Sequence, residues 1–119
     1  MSILDPELPA ESPDRLALEL ERTVSRLRVM SLVRLSAPLS DGVSRGGRAR
    51  LLAQQLADAE ARLVGGPQRA LPETGDPAAG DVLAVCGHDL VAAVRAAPGA
   101  GGEACAQAVV ALVELRRIL

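Results

Sequence analysis

Four side chains late in the chain carry donors for metal or redox chemistry: Cys86, His88, Asp89 and Cys105 offer thiol, imidazole and carboxylate groups. Their spacing keeps them apart. On a helix, residues 86 and 88 point about 200° away from one another, so they cannot close on one ion. His88 aligns instead with Asp81 and Arg95 at seven-residue intervals, opposite the apolar residues, which is the pattern of a solvated face. Asp89 lies nearer the apolar edge, where an arginine from another helix could pair with it. Both cysteines fall on apolar faces, where a thiol packs as a small hydrophobe. Reflected about a turn near residue 99, they are offset along the helices by on the order of 12 Å, more than the roughly 7 Å that a disulfide spans. The expectation is two free thiols in a reducing compartment, no metal, no cofactor and, with a single partnerless histidine, no enzyme.

Two short strings invite more specific readings. Leu71-Pro72-Glu73-Thr74-Gly75 resembles the L-P-x-T-G sorting signal that sortases cleave in surface proteins of Gram-positive bacteria. That resemblance implies an exported precursor, an apolar membrane segment after the motif and a basic tail. Here the following residues are interrupted by Asp81, His88, Asp89, Arg95, Glu103 and Glu114, which is the pattern of an amphipathic helical pair and not of a span. The expectation is a loop in which proline and glycine do turn work. Gly99-Ala100-Gly101-Gly102-Glu103-Ala104 fits a loose dinucleotide-binding fingerprint, yet a helical pattern precedes it and no strand follows. It reads as a helix–helix turn.

Charge is unevenly distributed. Residues 1–21 carry a net −5, residues 22–50 a net +6 and the remainder −3. The basic block contains Arg22, Arg26, Arg28, Arg34, Arg45, Arg48 and Arg50. Such a block can meet phosphate or an acidic protein surface, with Arg26, Arg28, Arg45, Arg48 and Arg50 as the candidate anion or nucleic-acid contacts. It can equally be shielded by the acidic leader or form the solvated sides of a helix. All 13 basic residues are arginine, which fits the coding bias of a GC-rich bacterium, and Phe, Tyr and Trp are absent. Without aromatic rings the chain has no platform for base stacking or cation–π pockets.

The elements that must position these residues are helical. At 49% hydrophobic and 24% charged the chain has a core to build, and Leu and Ala, which fill it, favour helices. Residues 1–11 read as an acidic, flexible leader and residues 12–119 as one domain. Ser12-Pro13-Asp14 is an N-cap followed by proline and an acid in the first turn, which starts a helix. It is expected to run to about Ser36, because Pro38 disfavours helical geometry at Ala37. Leu16, Leu20, Val24 and Leu27 form one stripe with Thr23 and Ser31 among them; Leu18, Val29, Leu32 and Val33 form a second.

Three further helices are expected, at about 48–64, 77–97 and 103–118. Ala49, Leu52, Leu56, Ala59 and Leu63 make the buried face of the first, with Asp58 and Arg62 spaced for a surface pair. Leu83, Cys86, Leu90, Ala93 and Val94 face inward from the next, and Cys105, Val109, Leu112 and Leu119 from the last. Short turns favour antiparallel neighbours, so the expected fold is an all-α, antiparallel up-down-up-down four-helix bundle, with an open helical array as the alternative.

The functional expectation is a small cytoplasmic interaction or regulatory protein. The N-terminus lacks a signal peptide and no uninterrupted apolar run is long enough for a span. The second stripe, Leu18, Val29, Leu32 and Val33, is the candidate interface with a second copy or another protein. Nucleic-acid or phosphate binding through the arginine block is the alternative.

Overall fold

The computed structural model describes residues 8–119. All of the regular structure in those residues is helical: α1 (Pro13–Arg28), α2 (Leu32–Ser36), α3 (Arg45–Val64), a 3-10 turn (Asp76–Ala78), α4 (Ala79–Ala96) and α5 (Gly102–Ile118). The all-α expectation is met, but with five helices where four were expected. Residues 1–7 of the expected leader lie outside the described residues. Leu8 is tied to α1, its carbonyl accepting a hydrogen bond from Arg15 at 2.8 Å.

The expected first helix is two helices. α1 opens as anticipated, with the Ser12 side chain accepting from the Asp14 amide and Pro13 in the first turn. It stops at Arg28. Ser31, read from the sequence as a stripe position, takes an extended backbone (φ −65°, ψ 156°), and its side chain accepts from the Arg34 amide, so it caps a new helix. The bend turns Leu35 into the core, where it is 6% exposed, and lays α2 against α3 and the 3-10 turn.

α3 starts at Arg45, three residues before the expected 48, because Ser44 caps it by accepting from the Gly47 amide at 2.9 Å. The two glycines thus belong to the helix's first turn and not to the loop. Gly46 is there for a close approach: a Cβ would lie 2.7 Å from a carboxylate oxygen of Asp76. That carboxylate accepts from Ser44 Oγ at 3.1 Å and from Arg50 at 3.0 Å. Asp76, which as an acid before Pro77 could cap the following helix, instead seals the start of α3, and α4 begins after the 3-10 turn. α3 ends on Gly65 in the left-handed region, φ 74°.

One core joins all the helices. Leu16, Leu20 and Leu27 of α1, Leu83 and Leu90 of α4 and Leu112 of α5 are almost completely enclosed, as the apolar spacing predicts. α4 packs along α3 and α1, and α1 along α5, while α4 and α5, though consecutive, touch over a short stretch. A short turn therefore does not make this pair side-by-side neighbours, and the simple up-down-up-down order does not describe the packing. Gly87 of α4 leaves room for the Leu20 side chain of α1, since a Cβ there would fall 2.4 Å from Leu20 Cδ1. The segment Asp76–Ala96 is long and apolar enough by length and composition to cross a membrane, but 56% of its apolar window is buried inside the fold.

Candidate interaction surface

The second apolar stripe does not survive as a stripe. With the helix broken after Arg28, Leu32 and Val33 belong to α2, and Leu18 lies about 16 Å back along α1 from Val29. Leu18 is exposed as well, at 36%, but that distance sets it apart from the rest. Val29, Leu32 and Val33 remain together around the α1–α2 bend and face water: Val29 and Val33 are each 83% exposed and Leu32 is 55% exposed. Beside them lies a hollow of about 340 Å³ lined by Leu27, Met30, Leu32, Leu35, Pro77 and Gly80 together with Arg28 and Asp81. Those two form an exposed ion pair at 3.0 Å. Exposed apolar side chains thus adjoin a hollow of mixed polarity, whose lining carries a charge of each sign.

The candidate anion contacts are mostly engaged within the chain. Besides Arg28 on Asp81, Arg48 pairs with Asp41 and Arg50 with Asp76. Arg45 donates to the Leu119 carbonyl oxygen at 3.3 Å and to that of Ala37 at 3.4 Å, and Arg34 also donates to the Leu119 oxygen. Arg26 is exposed and has no ion-pair partner among the described residues. Apart from Arg26, the block that reads as one basic surface is distributed over intramolecular contacts with Asp41, Asp76, Asp81 and the carbonyl oxygens of Ala37 and Leu119.

One site escaped the sequence reading. Glu19 is 1% exposed and Thr23 fully enclosed, one helical turn apart on the inward face of α1. Glu19 accepts from Arg15 and from Arg116 of α5, both at 2.7 Å, and Arg22 approaches at 3.5 Å. Thr23 Oγ1 donates to the Glu19 carbonyl at 2.8 Å and accepts from Arg116 at 3.1 Å. Burial works to raise the Glu19 pKa, but the hydrogen bonds and charges of Arg116 and Arg15 prevail and hold it below the usual carboxylate value. The signal was available: Glu19 sits three residues after Leu16 and four before Thr23, inside the apolar stripe. This network ties α1 to α5, and its acceptor oxygens are occupied by arginines, leaving no free base.

The other candidates are set apart. Cys86 and Cys105 are free and buried, burial raising both thiols above their ordinary value, which makes them poor nucleophiles. Cys105 lies 3.3 Å from the Ser12 carbonyl. His88, Asp81 and Arg95 are exposed, as the seven-residue spacing predicts. Asp89 is exposed and has no ion-pair partner among the described residues; the cross-helix pairs of this region are made by Asp81 with Arg28 and by Arg95 with Asp14. Asp58 does not pair with Arg62 either, but accepts from Gln54 at 2.9 Å. Among the described residues no three His, Cys, Asp or Glu side chains converge to hold a metal.

The Leu71–Gly75 string is a strap across α3. Gln54 holds it from both sides, accepting from the Leu71 amide at 2.8 Å and donating to the Arg69 carbonyl at 2.9 Å. Leu71 packs against the core, and Gly75 leads into the 3-10 turn.

No protein-family model matches the chain, and no curated protein and no solved structure matches it.

Proposed function

We propose that the chain is a cytoplasmic protein-interaction module, non-catalytic, that self-associates through the α1–α2 bend. The observation that carries this reading is the pair Val29 and Val33, each 83% exposed next to a hollow of about 340 Å³ lined in part by Leu27, Leu32 and Leu35. Large apolar side chains left in water beside a hollow mark a contact surface. A two-fold contact requires a patch complementary to itself, and this one supplies both halves: valines to insert and a hollow to receive them. Its edge is self-complementary as well, since the two-fold sets Arg28 of one copy against Asp81 of the other. Two free, buried thiols suit a reducing compartment.

The four-helix core, with α2 as an appended turn, is in this reading the scaffold that presents the bend. Sedimentation velocity at tens of micromolar tests it. The double substitution Val29→Asp and Val33→Asp should lower the average mass while circular dichroism stays unchanged, because both positions are outside the core. A mass distribution identical to that of the unsubstituted chain overturns the proposal.

A further inference from the structure

α3 and α5 draw apart and leave a groove that shares no lining residue with the hollow at the α1–α2 bend. At one end, of about 490 Å³, Arg48 faces Glu114 and Ile118. At the other, of about 220 Å³, Arg62 faces Ala104 and Gln107. Leu52, Gln55 and Ala111 line both parts, so the two adjoin, and the walls they share run antiparallel. From Arg48 to Arg62 the groove extends roughly 20 Å, close to four turns of helix.

Three properties of this groove specify an occupant. At its narrower end the α5 wall is Ala104, Gln107, Ala108 and Ala111, and the three small side chains allow another helix axis to come near. Leu51 and Ile118, which line it, and Val110, next to Ala111 on α5, are exposed large hydrophobics. Finally, Arg62 at one end and Glu114 at the other are exposed, and neither has an ion-pair partner among the described residues. Measured along α5 from Gln107, which lies opposite Arg62, Glu114 is about 10 Å away, out of reach within one chain. A two-fold axis across the groove exchanges its ends and brings these charges together between two chains.

From this symmetry we infer that the groove is filled by α5 of a second copy, antiparallel to its counterpart about an axis near Ala111. Glu114 of each copy then reaches Arg62 of the other, and Leu51, Val110 and Ile118 are covered. This contact does not depend on the one at the α1–α2 bend. A chain that has both is bivalent and links copies beyond a dimer.

Charge reversal in sedimentation velocity separates the two contacts. The unsubstituted chain should associate beyond a dimer at tens of micromolar. Val29→Asp with Val33→Asp should stop at a dimer held by the groove. Adding Arg62→Glu to that pair should raise its dimer dissociation constant at least about tenfold, since like charges then face each other twice. Adding Glu114→Arg as well should restore the dimer to within about threefold, because the exchanged charges attract again. The groove contact is overturned if Val29→Asp with Val33→Asp gives a monomer, or if the double reversal stays as weak as Arg62→Glu; the first result leaves the α1–α2 contact standing. If Val29→Asp with Val33→Asp changes nothing while Arg62→Glu alone gives a monomer, the groove stands and the α1–α2 contact falls. A monomeric unsubstituted chain overturns both.

Discussion

The two halves of α1 reverse the usual allocation of side chains. In its middle a carboxylate, Glu19, is 1% exposed, while at its C-terminal end Val29 is 83% exposed. The difference lies in what each half faces. α5 runs alongside the middle of α1 and brings Arg116, so that Glu19, Thr23 and the two flanking arginines satisfy one another. Past Arg28 the helix ends, α2 turns toward α3, and nothing in the described chain covers the bend. Burial here follows the available neighbour more than the polarity of the residue. A charge can be enclosed when its partners are enclosed with it, and an apolar residue stays wet when its helix outruns its neighbours.

Substitutions can test that contrast from its strong side to its weak one. Glu19→Ala should cost about 3 kcal/mol of unfolding free energy in urea titration, the low end of the penalty for breaking a buried pair, because Arg15 and Arg116 can partly reach water. A loss below about 1 kcal/mol would place Glu19 with ordinary surface charges. Acid should act through the same group. Its folded pKa is lowered, so its contribution is fully present above the unfolded carboxylate value and is lost as pH falls from there through the folded value. The drop in melting temperature over that acid range should be smaller in Glu19→Ala than in the unsubstituted chain. At the exposed end, Val33→Thr should change stability by no more than about 0.5 kcal/mol in dilute solution. A larger loss would mean that the bend is covered within the monomer.

Much of this arrangement is legible in the residues. Ser12-Pro13 starts α1 and Gly65 stops α3 as their chemistry requires, and the inward stripes of Leu16–Leu27, Leu83–Val94 and Cys105–Leu112 are the observed core. The misreadings share one cause, the choice among several local roles open to a polar or small residue. Ser31 fits a helix interior or a cap, and periodicity runs through it without a gap; only the burial of Leu35 against α3 decides for the cap. Gly46 and Gly47 look like loop residues until Asp76, thirty residues on, needs the space that a Cβ would fill. Asp76 itself is a sound cap by position, yet Ser44 and Arg50 hold its carboxylate elsewhere.

The candidate surface was half legible for the same reason. Val29, Leu32 and Val33 were recognisable as surplus to one core, but Leu18 was joined to them only by assuming an unbroken helix. Glu19 is hidden in the sequence because its charge argues against the inward place that its spacing gives it. The arginines reveal their number in the sequence but not their partners, which come from residues as distant as Asp76, Asp81 and Leu119.

A core assembled without a single aromatic ring makes this molecule optically silent: it has no intrinsic fluorescence and almost no absorbance near 280 nm. One indole introduced at Val33 would be the sole emitter in the chain, and its colour would report the polarity of the α1–α2 bend with no background from the interior.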